Sequence, residues 1–137
     1  MAWLHATPKP PEGSRRAKVA DQAPKLRRID QMKKDGITPQ MPPISMPHII
    51  ARLTEIGMTE AVGMGVGPLS WVSIDAWKRG TGIRIPPWEA RLIRQLSEAY
   101  LAEGRKAEDE TCPPPWRAPV SRRERELEAR ALDMVLG

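Results

Sequence analysis

A chain of 137 residues with two histidines and one cysteine has few places to do chemistry. His5 lies in a Pro- and charge-rich N-terminal stretch, and His48 follows Pro47 in the first turn of a helical pattern. Neither has a Cys, Ser or carboxylate partner at a spacing that makes a nucleophile and its base. Cys112 precedes three prolines, where an ordinary thiol is expected, and alone it makes neither an internal disulfide nor a metal-ligand set. Asp75 and Glu89 are explained by helix-start electrostatics rather than by an acid–base pair. The run GMGVG (63–67) has the glycine density of a phosphate loop. A Walker loop, however, ends in Gly-Lys-Ser/Thr, and here Pro68, Leu69 and Ser70 follow; the dinucleotide version needs a preceding strand, and the preceding pattern is helical. A connector that lets helices pack closely is expected there. No enzyme, no cofactor and no metal site are expected.

What remains is recognition chemistry. The aromatics are five Trp and one Tyr, with no Phe. Trp71, Trp77 and Trp88 fall close together and read as core bulk, whereas Trp3 and Trp116 sit in Pro-rich surroundings and suit an interface. The net charge of +5 is uneven: residues 1–52 hold ten Lys/Arg against four acids, and residues 53–137 hold twelve against thirteen. The basic character therefore belongs to an N-terminal arm, which would suit nucleic acid or an acidic protein surface. The near-neutral remainder, and a turn TGIRIPP longer than a helix-turn-helix allows, argue against DNA binding by the core. Nucleic acid is not an expected partner. No run of 18 apolar residues suggests a membrane span, and the N-terminus lacks a signal-peptide core.

The elements that must position these residues are helical. Residues 1–24 have no apolar period and too little apolar surface to offset ordering entropy, so an arm that is disordered, or ordered only on a partner, is expected. Residues 25–35 place Leu26, Ile29 and Met32 three apart, a short basic helix that forms by docking. A Pro-stiffened linker leads to a helix at 46–56, with Ser45 as its cap, Pro47 in its first turn and Gly57 after its end. MTEAV (58–62) reads as a further turn. Helices at 70–79 and 87–103 follow, the first capped by Ser70 and the second closed by Gly104. The predicted core is Ile49, Leu53, Ile56, Trp71, Ile74, Trp77, Trp88, Leu92, Leu96 and Tyr100. A last helix at 121–136 has Ser121 and Glu124 in a capping-box arrangement, with Leu127, Ala131 and Met134 as an apolar stripe. The fold expected is all-α. It divides into a basic arm (1–45), a helical core (46–104), a charged then Pro-rich linker (105–119) and an amphipathic C-terminal helix (120–137). The stripes Leu26, Ile29, Met32 and Leu127, Ala131, Met134, with Trp3 and Trp116, are the candidate protein-interface residues.

The run LSWVSIDAWKRGTGIRIPPWEARLIRQLSEAYLAE (69–103), with CPPPW at 112–116, carries Leu-Ser-Trp, Ile-Asp before Ala-Trp, Thr-Gly, Pro-Trp-Glu and Leu-Ser-x-x-Tyr in order. In this it is similar to the small tail assembly chaperones of tailed bacteriophages. The resemblance covers residues 69–116 and leaves the basic arm and the final helix outside it. It implies a protein that binds an aggregation-prone tape-measure or tail-tube protein in the host cytoplasm, without catalysis or cofactor. The long basic arm departs from the compact family pattern and leaves room for a minor tail protein retained in the virion, or for nucleic-acid binding through the arm.

Overall fold

The computed structural model describes residues 1–20 and 25–137, and these form two compact units, one built from residues 3–42 and 107–137 and the other from residues 43–106. In chain order the elements are α1 (Ala2–His5), α2 (Arg15–Ala20), α3 (Arg28–Lys34), α4 (Pro47–Ile56), β1 (Glu60–Val62), β2 (Gly65–Gly67), α5 (Trp71–Thr81), α6 (Pro87–Lys106) and α7 (Arg122–Leu136). Residues 21–24, part of the stretch expected to be disordered or ordered only on a partner, lie outside the described residues.

The unit of residues 43–106 is built around α4, α5 and α6. Pro47 opens α4, as its missing N–H allows, but the residue before the helix is Met46 and no side chain caps it. Ser70 caps α5 by accepting from the Ser73 N–H, and Gly82, in the left-handed conformation, ends it. The core joins Ile49 and Leu53 of α4, Leu69, Ile74 of α5, Ile85, and Ala90 and Ile93 of α6, with Ile56, Met58, Trp77, Ile83, Leu92 and Leu96 packed around them. Gly104 does not end α6, which runs through it to Lys106.

Two expected core residues lie elsewhere: Trp71 and Trp88 are each about half exposed, and Tyr100 is half-buried. The reason is angular. A spacing of three turns a helix by about 300°, so Trp71 and Trp77 fall on opposite sides of Ile74, and Ile74 takes the centre. In α6 the buried face is Glu89, Ala90, Ile93 and Ser97, with Leu92 and Leu96 at its edge. Small side chains mark the closest approach there. Ser97 is wholly buried, accepts from the Leu69 N–H at 2.9 Å and donates to the Met58 carbonyl at 2.7 Å. One hydroxyl thus satisfies two backbone groups flanking the hairpin.

That hairpin corrects the all-α expectation. β1 and β2 pair antiparallel, with Glu60 opposite Gly67 and Val62 opposite Gly65, where a further helical turn and a connector were expected. The two-residue loop is Gly63-Met64, and only Gly63 has positive φ (59°), the pattern of a type II′ turn. The Glu60 carboxylate then accepts from the Ser70 N–H at 3.0 Å, the Ser70 hydroxyl at 3.1 Å and the Ser73 hydroxyl, tying β1 to the first turn of α5. These donors, Ser73 first, hold Glu60 below its ordinary value of 4.5.

Two outcomes follow. A methyl group at Gly67 would lie 2.5 Å from Val62 Cγ2, whereas one at Gly65 meets nothing closer than the Val62 carbonyl oxygen at 3.7 Å. Gly67→Ala should therefore destabilise by about 1–3 kcal/mol and Gly65→Ala by no more than about 0.5 kcal/mol, read by thermal denaturation. Because the Glu60 pKa is depressed in the folded chain, its contribution is complete above the unfolded value and disappears as pH falls through the folded one. Glu60→Gln should lower Tm at neutral pH and flatten the loss of Tm below about pH 4.5.

Candidate functional site

The unit of residues 3–42 and 107–137 has few buried apolar side chains and is organised by polar contacts around Arg28. This residue, in the run KLRR, is 8% exposed. Its Nη1 donates to the Trp3 carbonyl at 3.1 Å and to the Ala107 carbonyl, and its Nη2 donates to the Asp109 carbonyl at 2.9 Å. The guanidinium also lies over the Trp3 ring, 4.5 Å from its centroid. The backbone N–H of Arg28 donates to the Ala6 carbonyl at 3.1 Å. Burial draws the Arg28 pKa down, opposed by Cys112 and Asp109, and a guanidinium so placed remains a cation. Its partners are carbonyl dipoles and an indole face, the sites that a planar fork of donors fits.

The N-terminal arm completes the arrangement. The Trp3 Nε1–H donates to the Cys112 carbonyl at 2.9 Å. Lys9 pairs with Asp109 as a parallel bridge: the Lys9 N–H donates to the Glu108 carbonyl at 2.7 Å and the Glu110 N–H to the Lys9 carbonyl at 3.2 Å. Ion pairs join Lys9 to Glu108 at 2.8 Å and Arg16 to Glu110 at 3.2 Å. The described part of the arm, read from sequence as disordered or ordered only on a partner, thus carries α1 and α2 and lies along residues 107–112. Its ordering comes from a partner within the chain, one hundred residues away in sequence, that no local pattern reveals.

Three of the candidate interface residues meet here. Trp3, Met32 and Trp116 line one groove of about 330 Å3, together with Leu4, Met41, Pro42, Pro114 and Pro115. Arg117, Gln40 and Glu124 supply polar edges. Leu26 and Ile29 are half-buried and do not line the groove. In α7, Ser121 caps the helix in a complete capping box with Glu124, and Arg123 Nε donates to the Asp35 carbonyl at 2.9 Å. Leu127 is half-buried, whereas Ala131, Leu132, Met134, Val135 and Leu136 are exposed, Met134 at 84%. The groove was missed as a unit because its walls come from four separated segments; the prolines beside Trp116 were its only local trace. Arg28 was hidden in a basic run that reads as a solvated face.

Of the reactive candidates only His48 and Glu89 come together, a carboxylate partner for His48 that the sequence spacing did not show. His48 Nε2 is 3.5 Å from Glu89 Oε1, and Glu89, buried, also pairs with Arg52, so this cluster ties α4 to α6. Asp75 pairs with Arg79 at 2.9 Å, four residues on in α5. The Cys112 thiol faces the Pro113 carbonyl at 3.7 Å. His5 is pushed toward its neutral form by burial, with the N-terminal amine and Arg27 adding to the effect. Among the described residues no group of three His, Cys, Asp or Glu is placed to hold a metal ion, and no helix is long and apolar enough to cross a membrane.

Residues 27–102, more than half of the chain, match the family model described as phage tail assembly chaperone. The chain belongs to the phage tail assembly chaperone family. The match begins well before the resemblance at 69–116, taking in Arg28, α3, α4 and the hairpin, and it ends before Trp116. Part of the basic arm is thus family sequence, while residues 1–26 and 103–137 lie outside the match. Searches of curated proteins and of solved structures gave no match.

The role of Arg28 gives a direct expectation. Arg28→Ala leaves three carbonyls without their donor and should cost about 2–4 kcal/mol, with loss of the Trp3 fluorescence environment. Arg28→Lys should recover less than half of that loss, since an ammonium cannot reach the same carbonyls and stack on the indole together. Urea denaturation followed by tryptophan fluorescence checks both.

Proposed function

We propose that this chain is a tail assembly chaperone of the host cytoplasm that binds a tail protein, the tape-measure or the tail-tube protein, and holds it soluble before polymerisation. It acts by binding alone, without catalysis or cofactor. The family match over residues 27–102 carries the reading. The groove of Trp3, Met32 and Trp116 and the bare apolar face of α7 support a place for the contact. A helical tail protein would bury such a face in the helix-in-groove manner. Each of Met134, Val135 and Leu136 would contribute about 1.5–3 kcal/mol on full burial, so a few suffice for a specific complex.

The basic arm favours protein over nucleic acid as partner. Lys9, Arg16 and Arg27 are paired with Glu108, Glu110 and Asp30, and Arg28 is buried, so much of the charge that would release counterions is already engaged.

Co-expression with the tail proteins tests the proposal. The wild-type chain should keep one of them soluble and co-purify with it, and Met134→Asp with Val135→Asp should weaken that complex about tenfold or more while leaving the free chain folded. Mass spectrometry of purified virions should not find the chain. A stoichiometric amount there, or no effect on any tail protein, would refute the chaperone reading.

A further inference from the structure

We propose that residues 107–112, backed by Arg28, form a peptide-binding seat that the chain's own N-terminal arm fills. A basic, indole-bearing segment of a partner protein takes the same seat by displacing that arm. That the partner is a tail protein rests on the function proposed above; the seat itself does not.

The arm shows what the seat accepts. Residues 3–9 engage it through one helical turn and one extended residue: from α1 the Trp3 indole N–H reaches the Cys112 carbonyl and the ring covers the Arg28 guanidinium, and Lys9 exchanges backbone hydrogen bonds with residues 108 and 110. The side chains of Glu108, Asp109 and Glu110 make the seat acidic, and Lys9 and Arg16 meet two of them. An incoming segment must then be extended at one residue, carry an indole about six residues before it, and be basic.

The arm is also held in a way that permits exchange. Its ion pairs are exposed: the Lys9 side chain is 59% accessible and that of Arg16 79%. Such pairs contribute little and are screened by salt. Its backbone bonds to 108 and 110 can be replaced by bonds to water. The main losses on release are the burial of Trp3, its contact with Arg28 and the bonds of Arg28 to the Trp3 and Ala6 carbonyls, which the indole and backbone of an incoming segment restore. A tethered arm acts at an effective concentration on the order of millimolar, so a competitor must add contacts the arm lacks. The groove supplies them: Trp3 and Leu4 form one of its walls, and their departure leaves Met32, Met41 and Trp116 to the newcomer.

A fluorescent peptide of residues 1–12, titrated with the full-length chain and followed by anisotropy, tests the seat without any tail protein. The Trp3→Ala chain should bind this peptide about tenfold more tightly than wild type, because its own arm no longer competes. Added salt should weaken that binding, and a peptide carrying Trp3→Ala should not bind. Lys9→Glu, at an exposed position, should act in the same direction and serves if Trp3→Ala melts. Absence of binding by both folded variants, or binding indifferent to the peptide's tryptophan, overturns the proposal. So does a wild-type dimer, seen by light scattering, that Trp3→Ala dissolves, since it would give the seat to a second copy. Co-expression with tail proteins is read separately, so a failed seat and a failed chaperone role are told apart.

Discussion

A guanidinium removed from water cannot shed its charge and must find acceptors for a rigid set of donors. In this protein Arg28 finds them in backbone carbonyls from two distant segments, at Trp3 and at Ala107 and Asp109, with the Trp3 ring over its face. The unit of residues 3–42 and 107–137 has little apolar material to be assembled by burial: among its described residues, Ala6 and Ala107 are the buried apolar ones. One cation therefore does what a hydrophobic core does elsewhere: it makes the arm, the start of α3 and the segment of residues 107–109 mutually dependent. The groove inherits its shape from that dependence, because Trp3 serves both as the lid of Arg28 and as a wall of the groove.

The unit of residues 43–106 follows the opposite rule. Its centre is aliphatic, with Ile49, Leu53, Leu69, Ile74 and Ile93 at most 2% exposed, and its polar elements close small gaps rather than organise space. Ser97 bridges Met58 and Leu69, and Glu60 gathers the donors at the start of α5. Both hold the ends of a hairpin whose two short strands would be marginal in isolation.

Local signals were legible where the responsible atoms are near in sequence. Ser70, Ser121 with Glu124, Pro47 and Gly57 place helix ends within a residue or two, and the long pattern at 87–103 is α6. Large apolar side chains misled the choice of buried face. Trp71 and Trp88 were weighted by size, yet close helix approach selects Ala90 and Ser97, and the indoles fall to the rim. The hairpin had a local sign that glycine density obscured: Gly at the first position of a two-residue loop, with Val62 and Val66 on either side, is the pattern of a II′ turn. The arm and the groove had almost none, since Trp3 meets Cys112 and Lys9 meets Asp109 across a hundred residues or more. The family match reaches Arg28 but leaves out the segments that Arg28 holds, which lie in residues 1–26 and 103–137.

The capping box that starts α7 bears on how an encounter would proceed in time. Ser121 and Glu124 satisfy each other's backbone N–H groups, and Arg123 pins the first turn to Asp35, while the last two turns carry exposed apolar side chains. Helix initiation, the slow and unfavourable step, is thereby completed before any other molecule arrives. On the reading proposed above, a partner would meet a helix already formed rather than one that folds on contact, so little conformational search would remain after collision. Association then loses rigid-body freedom without the additional entropy of folding a segment on contact.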